Sequence, residues 1–387
     1  MRKIISFIAA VALAVSCIYP YEAEIEGKGG NLVIEGDITL GSISTFALSY
    51  LIPLNETSVD GVPHGELWVE DTAGNKYPGV ATGVAGEYEV DTRLADKSLE
   101  HRLYLRTTNG KEYYSDWGKA TGSCEVYDIK CTPKVNHSGA TYGADFTMSL
   151  KSQDAKHFRY RYKEDWEFTS VYRSQFSYDP TTDEENPYGF LIPISTNDAN
   201  YFCWKSDKSR GINLATTENM SVDHLDDYPL FTYDENNRKL EYIYRIEVEV
   251  YPVSEDSYRY YEHIKEVSNY NGSLFAPIPS EIRGNIHCAG DEDEFVYGYI
   301  ATSVPSSCRS YFRDDEIHVY KHPNKSTWGY EAVPAEQWAK YYFVKNWLPV
   351  NFDMVANAYY WAEARCVNCL LMGGTKNKPA DWPNDHK

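Results

Sequence analysis

Three acidic side chains surround one tryptophan near the middle of the chain. Glu164, Asp165 and Glu167 flank Trp166, and paired carboxylates cleave the glycosidic bond in most glycoside hydrolases. That chemistry requires two carboxyl groups at a fixed separation across a cleft, which a sequence does not provide. The chain has no nucleophile elbow, phosphate-binding loop or dinucleotide-binding motif. A surface hydrolase acting on glycans or peptides is therefore an alternative, and the sequence favours a protein without catalytic residues.

Two cysteines near the C-terminus have the spacing of a redox pair or of half a zinc site. Cys366 and Cys369 are separated by two residues. A redox pair normally lies in a thioredoxin-like βαβ setting, which this chain does not show. A zinc site would need further ligands, such as Cys203 and a histidine. The favoured alternative is a structural disulfide, in which one of the two cysteines pairs with Cys203, and we predict neither a metal nor a cofactor.

Two other groups have incomplete metal-binding patterns. His318 and His322 have the spacing of helical zinc ligands, but the glutamate of the metalloprotease motif is missing and Pro323 follows. Residues 291–294 are four consecutive acids, without the acid spacing and central glycine of a calcium loop. The sequence therefore favours surface histidines and a solvated acidic turn.

The N-terminus has the pattern of a bacterial lipoprotein signal peptide. Arg2 and Lys3 precede an apolar run that ends at Val15 and is too short to span a bilayer. Small residues on either side of Val15 lead directly to Cys17, and this stretch resembles a lipobox, in which the peptide is cut before an acylated cysteine. The alternative is an ordinary secretory signal. We predict a signal peptide over residues 1–16, with Cys17 lipidated.

Residues 17–28 are predicted to form a lipidated tether. Acidic residues alternate along it and loosely resemble the acidic stretch that follows the lipidated cysteine in surface-exported lipoproteins of the Bacteroidota. A plain solubilising linker is an equal alternative. The chain would then be held by acyl chains, of which each buried methylene contributes roughly 0.8 kcal/mol, and more than one chain is needed for stable anchoring.

Composition narrows the range of partners. The 387 residues include 37 basic and 57 acidic side chains, which gives a net charge of −20. Such a charge argues against nucleic acid, because phosphate binding requires a basic surface. The chain also contains 34 tyrosines, which suit half-buried strand faces and, in smaller number, recognition surfaces.

The remaining cysteines leave the disulfide connectivity open. Export permits disulfides, but the eight cysteines become an odd number once one is lipidated, so at least one thiol lacks an intramolecular partner. Cys288 and Cys308 flank a predicted strand, and antiparallel neighbours can bring two α-carbons within the roughly 5.5 Å of a bridge. Cys124 and Cys131 are predicted to pair across a short loop.

Short strands recur in the first part of the chain. Apolar and polar residues alternate, which is the period of a sheet with one solvated face. Asn109-Gly110 favours a tight hairpin turn, because both residues accept positive φ. The predicted strands span residues 31–40, 44–52, 65–70, 86–91, 102–107 and 111–117. This spacing predicts a β-sandwich domain over residues 29–122, immunoglobulin-like or carboxypeptidase-regulatory-like.

Residues 123–333 are predicted to form a larger β-rich domain with a docked helix. Ser254 can cap a helix near 254–268, with Tyr258, Tyr261 and Ile264 on the face that meets a sheet. Long alternating strands are predicted over 158–162 and 240–250, with polar loops over 178–188 and 223–234. Further strands are predicted over 282–287, 295–304, 308–311 and 316–320.

Residues 334–387 are predicted to hold a helix and a Cys/Gly/Trp tail. Pro334 suits the first turn of that helix, which should continue to about residue 344. The whole chain is therefore expected to be mainly β, with one or two docked helices.

Several short motifs resemble one known family in order and spacing. They are Cys203-Trp204, Tyr258 in its helix, residues 272–275, Pro279-Ser280, residues 284–286, residues 298–301, Cys366-x-x-Cys369, residues 373–375, Pro379 and Trp382. The pattern resembles the Bacteroidota lipoprotein family known as domain of unknown function 4249, and its tail is the most specific part. Cys124 and Cys131 are not part of it. The resemblance implies an outer-membrane lipoprotein encoded beside TonB-dependent transporters, and it brings no catalytic residues.

These observations lead to one expected function and two alternatives. We expect a lipid-anchored, non-enzymatic lipoprotein of the outer membrane, exposed at the cell surface, acting as an accessory or binding component near a TonB-dependent transporter. A surface glycan-binding protein is the first alternative, in which exposed aromatic rings bind sugars. The second alternative is a surface hydrolase that cleaves glycans or peptides. The possible ligands across these functions are therefore a glycan or a peptide.

Overall fold

The computed structural model describes residues 31–51, 65–195, 200–270, 282–321 and 330–383. The predicted signal peptide, Cys17 and the tether lie outside the described residues, as do His322 and the motif residues 272–275 and 279–280. The prediction of a mainly β chain with few helices is confirmed. Within the described ranges, no helix is both long and apolar enough to cross a membrane.

The chain begins with short strands. They are β1 (Leu32–Gly36), β2 (Ile38–Thr39), β3 (Ile43–Tyr50), β4 (Glu66–Asp71), β5 (Lys76–Ala81), β6 (Glu87–Asp91), β7 (His101–Arg106) and β8 (Glu112–Ser115).

Longer strands and the main helix follow. They are β9 (Ser123–Val135), β10 (Thr141–Gln153), β11 (His157–Thr169), β12 (Phe176–Asp179), β13 (Phe190–Pro193), β14 (Phe202–Lys208), β15 (Asn213–Thr216), β16 (His224–Asp234), β17 (Ile243–Val253) and α1 (Glu255–Tyr270).

The last part of the chain has shorter elements. They are β18 (Ile286–Cys288), β19 (Thr302–Ser303), β20 (Ser306–Arg313), α2 (Asp314–Ile317), β21 (Tyr330–Pro334), α3 (Trp338–Phe343), β22 (Trp347–Asp353), β23 (Ala358–Glu363) and α4 (Ala364–Val367). Single 3₁₀ turns lie at Arg238–Leu240, Ala335–Gln337 and Cys369–Met372.

The first unit is one sheet that curls around its own core. Its strands pair in the order β1-β3-β6-β5-β4-β7-β8-β18. Side chains from both halves of the sheet, such as Phe46 on β3 and Leu105 on β7, are completely buried in the same cluster. The sheet therefore encloses the apolar side of its strands, as expected for a small β domain.

The first unit also receives residues from much later in the chain. β18 is its last strand, and Val296 and Ile300 lie in its core. β19 pairs in parallel with β2. The sequence analysis places all of these residues in the second domain, because pairing between strands about 170 and about 260 residues apart leaves no local pattern.

The second unit is a sandwich of two sheets. One sheet has the order β16-β10-β9, and the other has the order β14-β11-β17-β20 with β15 beside β11. Phe146 and Met148 on β10 meet Ile246 and Val248 on β17 in a buried core. Since side chains alternate along a strand, the other side of β11 and β17 faces away from this core, and we call it the outer face.

A small third sheet, β21-β23-β22, forms the C-terminal unit. Trp361 on β23 is fully buried, and Ala362 packs with Val350 and Tyr172. The helix predicted from Pro334 appears as a 3₁₀ turn followed by α3.

Several local predictions are confirmed. The Ser254 hydroxyl accepts the Ser257 backbone N–H (3.2 Å) at the start of α1. Tyr258 of α1 is buried against the second unit, as its predicted docking face requires. In the hairpin between β7 and β8, Gly110 has φ of +85°, and its N–H donates to the carbonyl of Thr107 (2.9 Å).

Other local predictions are wrong, and each has a physical reason. Residues 224–234 of the predicted polar loop form β16. Leu225 and Phe231 pack on the core, and irregularities in the strand register accommodate Pro229. Residues 316–320 are not a strand, since α2 occupies 314–317 with acidic residues in its first turn, and His318 ends it at φ of +49°. Residues 295–304 contain only the two-residue β19.

In the first unit, the strand β5 is absent from the sequence predictions. β5 contains Pro78 and Gly79, which normally weaken a strand assignment. A Cβ at Gly79 would lie 2.9 Å from the carbonyl oxygen of Leu67, so only glycine lets β5 approach β4 this closely.

Candidate functional site

The three predicted carboxylates lie on β11 and are all buried. Glu164 points to the inner face, where it accepts hydrogen bonds from the Tyr244 hydroxyl (2.6 Å) and from Lys239 Nζ (2.7 Å). The Tyr233 hydroxyl also donates to it. Every one of these partners is a donor within the protein, so Glu164 acts as a buried anchor of the sandwich.

Asp165 and Glu167 point to the opposite, outer face. The Oδ2 atom of Asp165 accepts two hydrogen bonds from Arg245, one from Nη2 (2.7 Å) and one from Nε (3.1 Å). Glu167 accepts from Trp382 Nε1 at 3.4 Å. Neighbouring carboxylates on one strand alternate between faces, so Glu164 and Asp165 cannot converge on one scissile bond.

The structure joins Cys203 to Cys369 in a disulfide, with an α-carbon separation of 5.8 Å. Cys366 stays a buried free thiol. This arrangement is the structural alternative for the Cys366-x-x-Cys369 motif, and it fastens the tail to β14. The bridge is followed by backbone hydrogen bonds in both directions between Trp204 and Thr375, each 2.9 Å.

The other predicted disulfides do not occur. Cys124 and Cys131 are both free thiols on β9, and their positions are seven steps apart along this strand, roughly 23 Å. Cys288 and Cys308 belong to different cores, the first to the curled sheet and the second to the edge of the sandwich. Both pairs are therefore too far apart to bridge.

The partial metal patterns do not assemble. His318 is exposed and forms the left-handed end of α2. In the acidic run, Glu294 turns inward and accepts from Lys111 Nζ (2.5 Å) and the Tyr113 hydroxyl (2.7 Å). Among the described residues, no group of three or more His, Cys, Asp or Glu side chains is placed to hold a metal ion.

A cavity with a volume of about 480 Å³ lies between the two β units. Such a volume is within the range of small-molecule sites. β1 and residues 297–299 form one wall, β11 and Asn213 form the floor, and α1 forms the other wall. The cavity therefore exists only because the late segment around Gly298 returns to β1, where Ile34 N–H donates to the Tyr297 carbonyl (2.8 Å).

Tyrosines dominate the walls of this cavity. Tyr260 and Tyr261 come from α1, and Tyr297 and Tyr299 come from the returning segment; all four are half-buried. The rings of Tyr260 and Tyr299 lie 5.2 Å apart. Burial raises the pKa of Tyr260 and of Tyr299, so both phenols stay protonated at neutral pH and can donate as well as accept hydrogen bonds.

Buried donors complete the cavity floor. Arg159 is 4% exposed, lies 4.4 Å from the centre of the Tyr261 ring, and forms an ion pair with Asp37. Its Nε and the Asn213 side-chain amide nitrogen have no hydrogen-bond partner among the described residues. Since buried polar groups are normally satisfied, these two nitrogens are exceptions at the floor of the cavity.

A second, shallower cavity of about 320 Å³ continues from the first across the outer face. Arg161 lines both cavities. Lys163, Lys208, Glu247 and Glu249 line the second one. Farther along the same face, the tail covers the sheet, with Trp382 packed against Trp204 and Ile243. The tail thus covers the part of the outer face around Trp204.

Most of this site is absent from the sequence predictions. The sequence predicts that α1 docks through Tyr258, Tyr261 and Ile264. Of these three side chains, Tyr258 is buried, whereas Tyr261 and Ile264 line the cavity. Tyr299 belongs to a recognised motif without an assigned role. The one available signal is the abundance of tyrosine, which does not say which rings meet.

Comparisons with known proteins identify a family but not an activity. No curated protein matches the chain. Among solved structures, a DUF4785 family protein from Legionella pneumophila subsp. pneumophila str. Philadelphia 1 is 10% identical, with a TM-score of 0.18 over 56% of this chain. The match spans 51% of that protein, about half its length, and carries no argument about fold or function.

The family model for a domain of unknown function, DUF4249, matches residues 18–309, which is most of the chain but stops before the Cys366-to-Trp382 tail. The chain therefore belongs to the DUF4249 family.

Proposed function

We propose that this protein is a non-enzymatic binding lipoprotein, anchored through Cys17 to the outer membrane, exposed at the cell surface and working near a TonB-dependent transporter. The sequence of the first 17 residues supports the anchor. Tethering would raise the local concentration of a captured ligand at the transporter without any new contact. A net charge of −20 makes electrostatic adhesion to anionic lipid unfavourable, so the acyl chains supply the membrane affinity.

The tyrosine-lined cavity is the observation that carries the binding role. It combines flat aromatic rings, protonated phenols and two buried nitrogens that have no hydrogen-bond partner among the described residues. Aromatic faces bind the apolar faces of sugars, and the polar groups bind hydroxyls. This combination supports a glycan as the ligand, so glycan capture is the specific form of the proposed binding role.

The described carboxylates support binding and not hydrolysis. Glu164, Asp165 and Glu167 are each held by donors of the protein itself, on two different faces of β11. A hydrolase needs carboxyl groups that converge on substrate, and these three are committed to the sandwich. Among the described residues that line the cavity, Glu35 is the sole carboxylate.

Glycan binding by the full-length lipoprotein in detergent tests the binding role. A glycan array should give bound sugars, and Tyr260→Ala combined with Tyr299→Ala should weaken their binding at least 10-fold. Tyr127→Ala is the matched control, because Tyr127 is an exposed tyrosine that does not line the cavity. Its hydroxyl donates to Asp226, and both residues belong to the sheet β16-β10-β9. An unchanged affinity of the double variant, with normal thermal unfolding, would place binding elsewhere. Release of cleaved sugar would establish the hydrolase alternative.

The anchor and the transporter are tested on native membranes. Radiolabelled palmitate should be incorporated into the wild-type protein and not into Cys17→Ser. Affinity purification of the wild type should recover a TonB-dependent transporter. An unmodified Cys17 thiol on protein released into the medium would contradict the anchor, and repeated recovery without any transporter would contradict the partnership.

A further inference from the structure

Three cations lie together on the outer face beside the tyrosine cavity. Lys163 on β11 is directly opposite Lys208 on β14, so their Cβ atoms are about 5 Å apart. Arg161 lies two residues along β11, on the same face and roughly 7 Å away. The side chains of Arg161 and Lys163 are 56% and 54% exposed, so a ligand can reach all three charged groups.

These cations have few close carboxylate partners. Among the described residues, no carboxylate lies within ion-pair distance of Lys208. Of the carboxylates that the structure describes, Lys163 forms an ion pair with Asp165 alone, at 4.0 Å, and Asp165 is already held by Arg245 at 2.7 Å. Arg161 is 3.7 Å from Asp37, which forms its main ion pair with Arg159. Like charges directly opposite each other destabilise a sheet. An anion bound between Lys163 and Lys208 would reduce the repulsion between these two lysines.

The acidic residues of the second cavity are engaged with other groups. Glu247 forms an ion pair with Arg309 at 3.0 Å. Glu249 accepts a hydrogen bond from the Tyr251 hydroxyl. The lining of the second cavity carries three cations and two carboxylates, a small positive excess in a chain whose net charge is −20. Glu247 and Glu249 lie directly opposite Lys163 and Arg161 on β17.

We infer that the ligand is an oligosaccharide that carries a carboxylate group. One sugar binds among the tyrosines over Arg159, and the acidic group of a later sugar binds between Lys163 and Lys208. Arg161 lines both cavities and connects the two positions. The path from Arg159 to Lys163 covers four strand residues, about 13 Å, so the ligand contains more than one sugar. This inference rests on the proposed binding function and specifies its ligand.

The strand arrangement favours a carbohydrate over an acidic peptide. Peptides commonly bind by adding a strand to an open sheet edge. β11 pairs with β17 on one side and with β14 and β15 on the other. Between β14 and β15, the backbone of Tyr162 is bound by Ser209, whose N–H donates to the Tyr162 carbonyl (2.7 Å). A ligand over β11 therefore meets side chains, because both edges of this strand are already paired.

The test uses the full-length lipoprotein in detergent and pairs of ligands. Each pair is a uronic-acid oligosaccharide and its carboxyl-reduced, neutral counterpart, measured by isothermal titration calorimetry. We expect at least 10-fold tighter binding of the acidic member of a pair. Lys163→Ala combined with Lys208→Ala should remove that preference, while binding of the neutral member stays within twofold. Lys151→Ala is the matched control, because this lysine pairs with Glu125 on the other sheet.

The outcomes separate this inference from the proposed function. Equal binding of acidic and neutral members, sensitive to Tyr260→Ala with Tyr299→Ala, would overturn the acidic ligand and leave glycan binding in place. Tighter binding of an oligoglutamate peptide than of any acidic sugar would overturn the carbohydrate class. Binding of no oligosaccharide at all would overturn both proposals.

Discussion

Asp37 and Arg159 form a buried ion pair that joins the two β units beneath the tyrosine cavity. Asp37 directly follows β1 and is 5% exposed, while Arg159 lies on β11 and is 4% exposed. The guanidinium also lies over the Tyr261 ring of α1. Three elements that form the cavity are thus held together at one charged contact.

Replacing Asp37 should therefore destabilise the protein and deform the cavity. Asp37→Ala leaves the Arg159 charge buried with no carboxylate at its side, and breaking a buried pair in this way costs about 3–5 kcal/mol. Chemical denaturation should show this loss. Asp91→Ala is the matched control, because Asp91 forms its ion pair with Arg93 at the surface, and it should leave the denaturation midpoint unchanged. If Asp37→Ala and Asp91→Ala shifted the denaturation midpoint equally, the ion pair of Asp37 with Arg159 would not hold the two units together.

The Cys203–Cys369 disulfide should stabilise the C-terminal tail on the sandwich. It links residues 166 positions apart, and removing a native disulfide typically costs about 2–5 kcal/mol. Cys369→Ser should lower the unfolding midpoint and increase the solvent exposure of Trp382, seen as a red shift of tryptophan emission. Cys308→Ser, which removes a half-buried free thiol, should lower the midpoint less.

Mass spectrometry of unreduced peptides checks the same bridge directly. It should recover one peptide pair containing Cys203 and Cys369, with Cys366 alkylated only after unfolding. A peptide that links Cys366 to Cys369 would contradict the connectivity and would support the redox alternative for this motif.

Stability should fall at acidic pH in part because of Glu294. Burial by itself would raise the pKa of this carboxyl, but hydrogen bonds from Lys111, Tyr113 and Cys288 outweigh burial and lower the pKa from its ordinary value of 4.5. A lowered folded-state pKa means that the stabilisation is fully present above about pH 4.5 and is lost as the pH falls below it. Thermal unfolding measured between pH 3 and pH 7 should show this loss.

Glu294→Gln is the variant that isolates this contribution. It should lower stability at pH 7 by about 1 kcal/mol, since it weakens a charge-assisted hydrogen bond, and should reduce the loss of stability on acidification. Glu292→Gln, an exposed neighbour in the same acidic run, should change neither. Parallel pH profiles for the wild type and Glu294→Gln would show that other groups cause the acid sensitivity.

The sequence by itself determines the strands, helix starts and turns that depend on residues close together in the chain. The alternation along β11 and β17 predicts strands, Ser254 and the acids after it predict the start of α1, and Asn109-Gly110 predicts a hairpin. Each depends on residues a few positions apart, so no knowledge of the rest of the fold is needed. The family resemblance, too, rests on short motifs and their spacing.

Only the tertiary structure decides which faces are covered and which residues meet. Alternation places Glu164 and Asp165 on opposite faces of β11, but the packing of β10 on one face and of the tail on the other buries both. Likewise, Tyr299 reaches Tyr260 only because residues 286–303 return to the first unit. Pairing over such distances is selected by the total burial of apolar surface, a property of the whole chain that no local spacing contains.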